Sequence, residues 1–153
     1  MENVIKSITD KTKVISIAHI SNVIGDVRPI KEIINYAHKK GILVVVDGAQ
    51  SVGHTNVDVQ DLDIDFLAIS AHKMLGPTGV GVLYGKYELL DKIKPTKVGG
   101  GMNIAFVSPS EIEYKELPYR LEAGTGNIAG VIGFGSAIDY INNIGIDNIE
   151  EYC

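Results

Sequence analysis

Short apolar runs alternate with amphipathic stretches along the chain. Three of the runs predict strands, and they cover Val14 to Ile20, Ile42 to Val46 and Phe66 to Ser70. The first is rich in β-branched side chains, as expected of a strand buried on both faces. Between the first two runs, Arg28 and Pro29 open a predicted helix that ends at Gly41. A strand, a helix and a second strand in this order predict a parallel crossover and therefore an α/β sheet.

The third run is followed by a fourth predicted strand, from Gly79 to Tyr84, whose short connection allows an antiparallel direction. A short helix is expected from about Lys86 to Ile93, and the glycine-rich segment from Lys97 to Ser110 is interpreted as an extended loop. A long helix from Ile128 to Asn143 is predicted to have Ile132, Ile138 and Ile141 on its apolar side, and a second helix is expected from about Asp147.

Composition and charge exclude several classes of partner. The 153 residues are 45% hydrophobic and 22% charged, with a net charge of -5 and no basic tract, so nucleic acid and anionic membranes are not expected partners. The apolar runs are too short to span a bilayer, and no secretory signal is visible, so a cytoplasmic location is expected. The single cysteine, Cys153, allows neither an internal disulfide nor a cysteine-rich metal site, and no metal is predicted.

Candidate chemistry lies at the ends of two predicted strands. Lys73 follows the third strand closely, with Ser70 and His72 just before it, and Asp47 closes the second strand. A lysine at a strand end can hold an aldehyde cofactor as a Schiff base, and a carboxylate on the other side of the ring can pair with a pyridine nitrogen. These are the two polar contacts that pyridoxal phosphate requires.

A set of motifs extends this pattern over nearly the whole chain and resembles a known family. The set comprises His19, Ser21, Asn22, Gly25, Pro29, Ile30, the segment Val46 to Gln50, Ser70, His72, Lys73, Gly76, Pro77, Gly79, Gly81, Gly99 to Gly101, and Glu122 to Thr125. In order and spacing it is similar to the class V aminotransferase group of fold-type I pyridoxal phosphate enzymes. Within that group it most resembles the group II cysteine desulfurases, the SufS and selenocysteine lyase type.

The resemblance implies a fold and a function. The expected architecture is a three-layer α/β/α arrangement around a mostly parallel sheet, with residues 1–153 forming the central part of the cofactor-binding large domain. An N-terminal segment and a C-terminal small domain, which supplies the nucleophilic cysteine, are expected to be absent. The implied reaction converts L-cysteine to L-alanine and leaves persulfide sulfur for iron-sulfur clusters or other acceptors, in a homodimer. Cys153 lies too early to match the family's nucleophile, so the isolated chain is expected to lack desulfurase activity.

The resemblance also implies roles for individual residues. Lys73 is the Schiff-base lysine and the base for the substrate α-proton, and Asp47 pairs with the pyridine nitrogen. Gln50 donates to the phenolic oxygen, and Ser70 and His72 hold the phosphate. The remaining assignments are that Asn22 contacts the substrate carboxylate or the cofactor face, and that Thr125 reaches the phosphate in the partner subunit. His19 is as readily a supporting residue as a site residue.

Other interpretations stay open. Alone, each of these side chains is also explained as a strand cap, a turn residue or a partly buried polar group. Another class V enzyme, such as an aminotransferase, an epimerase or a kynureninase-like hydrolase, could use the same cofactor framework. A cofactor-free module that serves only dimerisation or scaffolding is a rival of a different class. A nucleotide-binding domain is disfavoured because Gly99 to Gly101 do not open a helix after a strand.

Overall fold

The computed structural model describes all residues, 1–153, and they form two compact units. The first unit comprises Met1–Lys86 together with Gly130–Cys153, and the second comprises Tyr87–Ala129. No change in composition marks this division in the sequence.

The first unit is built on a four-stranded sheet. Its strands are β1 (Val14–Ala18), β2 (Leu43–Asp47), β3 (Phe66–Ser70) and β4 (Gly81–Gly85), in the order β1-β2-β3-β4. The first three strands are parallel and β4 is antiparallel to β3. The predicted mostly parallel α/β sheet is therefore confirmed, including the direction that the short connection before β4 allowed.

Five helices accompany the strands. They are α1 (Glu2–Ser7), α2 (Ile30–His38), α3 (Tyr87–Leu90), α4 (Ile128–Ile144) and α5 (Ile146–Tyr152), with short 3-10 turns at Ala71–Lys73 and Tyr119–Leu121. The predicted start of α2 at Arg28 is two residues early, because Pro29 is its N-cap and the helix begins at Ile30. Gly41 adopts the left-handed conformation, with φ of +68°, in the turn beyond the helix end.

Helix α2 packs on the sheet through an aliphatic core. Its buried face meets Val44 and Val46 of β2 and Leu67 of β3, and Ile34 and Val44 are completely buried. Burying an aliphatic side chain of this size contributes about 1.5 to 3 kcal/mol. This core fixes β2 and β3 side by side, and their carboxyl ends are therefore held at one edge of the sheet.

Helix α4 packs through a different face from the predicted one. Its buried residues are Gly130, Phe134, Ala137 and Ile141, and they form a second core with Ala71 and Met74. Ile132 and Ile138 are 67% and 39% exposed, so only Ile141 of the three predicted core isoleucines is correct. The cause is that this helix is apolar on most sides, so periodicity alone could not select the contacting face.

The second unit contains a hairpin that the sequence did not indicate. Strands β5 (Ile104–Val107) and β6 (Ile112–Tyr114) pair antiparallel within and just beyond residues 97–110, for which the sequence predicts an extended loop. The side chain of Asn103, which is fully buried, donates to the carbonyl oxygens of Lys97 and Arg120 at 2.9 and 3.3 Å. One amide side chain thus ties the hairpin to its flanking loops.

A network of charges closes the opposite edge of the main sheet, before β3 and after β4. Asp65 is buried, and its carboxylate accepts from the Val44 N–H at 2.8 Å, from Lys86 Nζ at 3.0 Å and contacts His38 Nε2 at 2.9 Å. Asp63 binds the other ring nitrogen of His38 at 3.0 Å and also pairs with Lys86. Every member of this network has a partner within the chain.

None of the helices is both long enough and apolar enough to cross a lipid bilayer.

Candidate active site

The turn that carries Lys73 is tightly fixed. The carbonyl oxygen of Ala71 accepts from the N–H groups of Met74 and Gly76, at 2.8 and 2.9 Å, with Leu75 between them at φ of +59°. A Cβ on Gly76 would lie 2.8 Å from that carbonyl oxygen and 2.9 Å from Cδ2 of Phe134, so only glycine fits without movement. The backbone that follows β3 therefore holds Lys73 in one place.

The polar side chains on this turn have no partners within the chain. Ser70, His72 and Lys73 make no side-chain hydrogen bond or ion pair, His72 is exposed, and the other two are partly exposed. A primary amine without a carboxylate beside it is available to react with an aldehyde. A hydroxyl and an imidazole N–H next to it are suitable donors to an anion.

Asp47 lies at the same edge of the sheet. It pairs in register with Ala18 of β1 and Ala68 of β3, two residues before Ser70, which corresponds to roughly 7 Å along the strand. Its carboxylate is exposed, and its Oδ1 accepts from the N–H of Ala49 at 2.9 Å. The carboxylate and the Lys73 turn thus leave neighbouring strands in the same direction.

Gln50 follows Asp47 in a turn that the sheet also fixes. The Gly48 N–H donates to the Ala68 carbonyl oxygen at 2.9 Å, and a Cβ on Gly48 would lie 2.6 Å from Cδ1 of Leu67. Gln50 is partly buried, and its side-chain amide has no hydrogen bond within the chain. Both its donor and its acceptor are therefore available to a ligand.

His19 and Asn22 follow the end of β1. The His19 N–H donates to the Asp47 carbonyl oxygen at 2.9 Å, which extends the parallel pairing by one residue. Burial lowers the pKa of the His19 imidazole, and its Nδ1 is buried without a hydrogen-bond partner. This shift favours the neutral form of the ring. Asn22 lies in the next turn, where it is exposed.

Thr125 belongs to the second unit, unlike the other six candidates. It is exposed, and the N–H of Gly124 before it donates to the carbonyl oxygen of Gly99 at 3.0 Å. A Cβ on Gly100 would lie 2.6 Å from Cα of Gly124, so the two glycine-rich segments touch backbone to backbone. This contact explains part of the glycine pattern around residues 99–101 and 124.

The sequence missed one residue of the sheet edge. Arg28 is predicted only to open a helix, but its guanidinium Nη1 donates to the Ala18 carbonyl oxygen at 3.1 Å. A single arginine before a proline has no local pattern that reports such a contact. The bond depends on how residues 19–28 fold back, which periodicity does not describe.

The comparisons with known proteins agree with this architecture. The family model described as aminotransferase class-V matches residues 1–153. A probable cysteine desulfurase of Halalkalibacterium halodurans is 51% identical over 99% of this chain, and a cysteine desulfurase of Haloferax volcanii is 45% identical over 99%. The chain spans 37% and 35% of the length of these two relatives.

Solved structures show the same fold. The cysteine desulfurase CsdA of Escherichia coli has a TM-score of 0.91 and 42% identity, covering 96% of this chain and 37% of its own. An apo cysteine desulfurase of Thermococcus onnurineus has a TM-score of 0.87 and 43% identity, covering 91% and 35%. The match of the family model over the full chain, together with these identities, confirms the resemblance to the class V aminotransferase family. Proteins of this family use pyridoxal phosphate, and this chain belongs to the class V aminotransferase family.

Proposed function

We propose that this chain is the cofactor-binding part of a pyridoxal phosphate-dependent cysteine desulfurase, which converts L-cysteine to L-alanine and retains the sulfur for transfer. One observation carries the proposal: an unpaired Lys73 amine on a rigid turn leaves the same sheet edge as the exposed Asp47 carboxylate. The names of relatives that match nearly the whole chain support the choice of substrate.

The residues at the edge fit the cofactor chemically. Lys73 has no acidic partner that would compete with an aldehyde, and Asp47 can accept from a protonated ring nitrogen. Ser70 and His72 supply donors for a phosphate dianion, and the Gln50 amide supplies one for the phenolic oxygen. When bound, the cofactor supplies an electron sink for the charge that develops as the substrate loses its α-proton.

Lys73 has a second role in this proposal, as the base that takes the α-proton and returns it. General bases act at hydrogen-bond distance, so the position of the amine matters as much as its basicity. The bonds to the Ala71 carbonyl and the close fit of Gly76 against Phe134 keep the base in place. Asn22, on the loop after β1, holds the substrate carboxylate or faces the cofactor.

Two further parts of the proposal concern partners. Thr125 binds the phosphate of a second copy, which requires a homodimer, and a sulfur acceptor protein takes the product sulfur from the complete enzyme. Cys153, which is exposed next to α5, has no role in sulfur transfer in this proposal. The SufS or selenocysteine lyase subtype and the cytoplasmic location stay predictions.

The first experiment tests the cofactor site. The purified chain is incubated with pyridoxal phosphate, reduced with borohydride, and analysed by intact mass and peptide mapping. We expect one adduct at Lys73, which is lost in Lys73→Ala and retained in Lys39→Ala, a control at an exposed lysine without an ion pair. An adduct spread over several lysines, or no adduct, would contradict the proposal.

The second experiment tests the reaction class. The cofactor-loaded chain is given α-deuterated L-alanine, the product amino acid, and loss of deuterium is followed by NMR. We expect exchange above the rate of free cofactor, and we expect it to disappear in Lys73→Ala. A loaded chain that exchanges the α-hydrogen of L-kynurenine but not that of L-alanine would favour a different class V enzyme. Alanine formed from L-cysteine by the 153 residues alone would contradict the expected lack of desulfurase activity.

A further inference from the structure

Residues 19–28, which connect β1 to α2, form a loop whose base is closed by Arg28. The backbone N–H of Arg28 donates to the His19 carbonyl oxygen at 2.9 Å. Its guanidinium Nη1 donates to the Ala18 carbonyl oxygen at 3.1 Å, in a partly buried position. One residue therefore binds two successive carbonyl groups at the carboxyl end of β1.

The same strand end is bonded to Asp47. Ala18 is the register partner of Asp47, and the His19 N–H donates to the Asp47 carbonyl oxygen at 2.9 Å. Arg28 thus binds the carbonyl oxygens of Ala18 and His19, while the N–H of His19 binds Asp47, the residue proposed to contact the cofactor ring. A displacement of the loop base would be transmitted to this edge of the sheet.

The rest of the loop has little burial to hold it. Val23 and Ile24 at its tip are 82% and 76% exposed, so the tip contributes almost no core. Its order rests on hydrogen bonds from the Ser21 N–H to the Asp26 carbonyl at 3.0 Å and from the Gly25 N–H to the Ser21 carbonyl at 3.1 Å. The Val23 and Ile24 N–H groups add longer bonds to Ser21 Oγ, at 3.3 and 3.4 Å. A segment with few buried contacts opens easily when one of its bonds is removed.

We infer that Arg28 is a positioning residue, which holds the loop of residues 19–28, and with it Asn22, in the orientation that binds the amino-acid substrate. This inference rests on the proposed function, because Asn22 has a ligand only if the edge is the cofactor site. Arg28 itself touches neither cofactor nor substrate; it acts through the carbonyl groups of Ala18 and His19. A charged donor to a carbonyl is stronger than a neutral one, which suits a loop with so little core.

The test compares Arg28→Met, which keeps the chain length but removes the donor, with Arg28→Lys, which keeps the charge. Hydrogen exchange in the cofactor-free chain is measured at the amides of Ser21, Gly25 and Arg28. We expect faster exchange at these amides in Arg28→Met, unchanged protection in β2 and β3, and intermediate behaviour in Arg28→Lys. Lys39→Met, which removes an exposed charge just after α2, is the control and should match the wild type.

The second readout uses the cofactor-loaded chain and the exchange of α-deuterated L-alanine. We expect the Lys73 adduct to form normally in Arg28→Met, with a rise on the order of tenfold in the alanine concentration giving half-maximal rate, as for one charge-assisted hydrogen bond. The maximal rate should change much less, since Lys73 is untouched. A merely structural role would lower the stability of β2 and β3 without this selective change in alanine affinity.

Each result decides the inference. Unchanged exchange at the loop amides, or faster exchange with unchanged alanine affinity, would overturn it. If Arg28→Met unfolds, as lost protection in β2 and β3 would reveal, Arg28→Lys alone decides between the same outcomes. If the wild type forms no Lys73 adduct, the proposed function fails first and removes the inference with it, and the wild-type control identifies that case.

Discussion

The two ends of the main sheet use charge in opposite ways. At the end where β3 begins, Asp65 is buried and bonded to His38, Lys86 and the Val44 N–H. At the end where β3 stops, Lys73 has no ion pair, and the exposed Asp47 carboxylate has a single bond, from a backbone N–H. Both ends carry at least one carboxylate and a lysine, but only at the first end are these charges paired within the chain.

This difference separates structure from function. Groups that are paired inside the chain stabilise it, and removing one leaves its partners unsatisfied in a buried place. Groups that are exposed and unpaired contribute little to folding, so their presence at one edge has to be explained by something outside the chain. Stability measurements and cofactor binding should therefore respond to different substitutions at the two ends.

The largest effect on stability is expected for Asp65→Ala. The change leaves the buried Val44 N–H without its acceptor and removes one of the two carboxylates that bind Lys86 and His38, which both keep Asp63. An unsatisfied buried donor together with weakened bonds to charged groups costs about 2 to 4 kcal/mol. Urea unfolding of the wild type and the variant measures the loss.

The matched control is Asp61→Ala. Asp61 pairs with Lys31 at 2.7 Å, but both side chains are more than half exposed, so a change within about 1 kcal/mol is expected. Equal effects of the two substitutions would show that the buried network is not what stabilises this end of the sheet.

The next prediction concerns the backbone turn after β3, which carries Lys73. Gly76→Ala places a methyl group against the Ala71 carbonyl oxygen and Phe134, and overpacking of this kind costs about 1 to 3 kcal/mol. We expect lower stability and also less Lys73 adduct, because the turn moves.

The control is Gly135→Ala on α4. The new Cβ there meets nothing within 4 Å, and a gain in stability of about 1 kcal/mol is expected. A harmless Gly76→Ala would mean that the turn is not rigid.

The sequence predicted more of the sheet than of its surroundings. Each strand of the main sheet is a short apolar run next to a turn signal, so local pattern was sufficient, and Phe66–Ser70 was correct to the residue. The hairpin of β5 and β6 was missed because its side chains are largely exposed, β5 has four residues without alternation, and the alternation of apolar and polar positions in β6 covers only three residues. The buried face of α4 is the one that packs on Ala71 and Met74, and this tertiary contact cannot be predicted from the sequence of the helix alone.

The candidate site was predictable in part for a related reason. Asp47, Ser70, His72 and Lys73 lie within three residues of strand ends, so correct strands were enough to place them at one edge. The contact of Arg28 with Ala18 and the pairing of His38 with two acids join residues that are distant in sequence. No spacing rule connects such residues, and only the folded chain reveals them.

Lowering the pH is expected to have a smaller effect on the stability of the fold. The Lys86 ammonium lowers the pKa of Asp63, and burial opposes ionisation of Asp65, but bonds from His38, the Val44 N–H and Lys86 lower its pKa below the ordinary 3.8. Both carboxylates thus stabilise the fold above about pH 4, and this contribution is lost as pH falls further. The slope is at most about 1.4 kcal/mol per pH unit for each proton taken up.

Urea midpoints between pH 6 and pH 3 measure this loss. Asp65→Asn should give a shallower decline than the wild type, because one carboxylate no longer titrates. Asp58, whose pKa is lowered mainly by the N–H groups of Asp61 and Gln60, remains in both proteins and does not affect the difference. A decline equally steep in the variant would assign the acid sensitivity to other groups.

The smallest effect on stability is expected for substitutions of Lys73 and Asp47, which should have the largest effect on cofactor binding. Lys73→Met and Asp47→Asn remove charges that satisfy nothing buried, so each should lie within about 0.5 kcal/mol of the wild type in urea unfolding without cofactor. Lys73→Met should nevertheless lose the borohydride-trapped adduct completely, and Asp47→Asn should weaken cofactor binding, because an amide is a poorer partner for a protonated ring nitrogen. With rising cofactor concentration, the wild type should gain stability as mass action requires, and Asp47→Asn should need a higher concentration for the same gain. If Lys73→Met instead lost several kcal/mol without cofactor, the lysine would have a structural role, and the contrast between the two ends of the sheet would not identify the site.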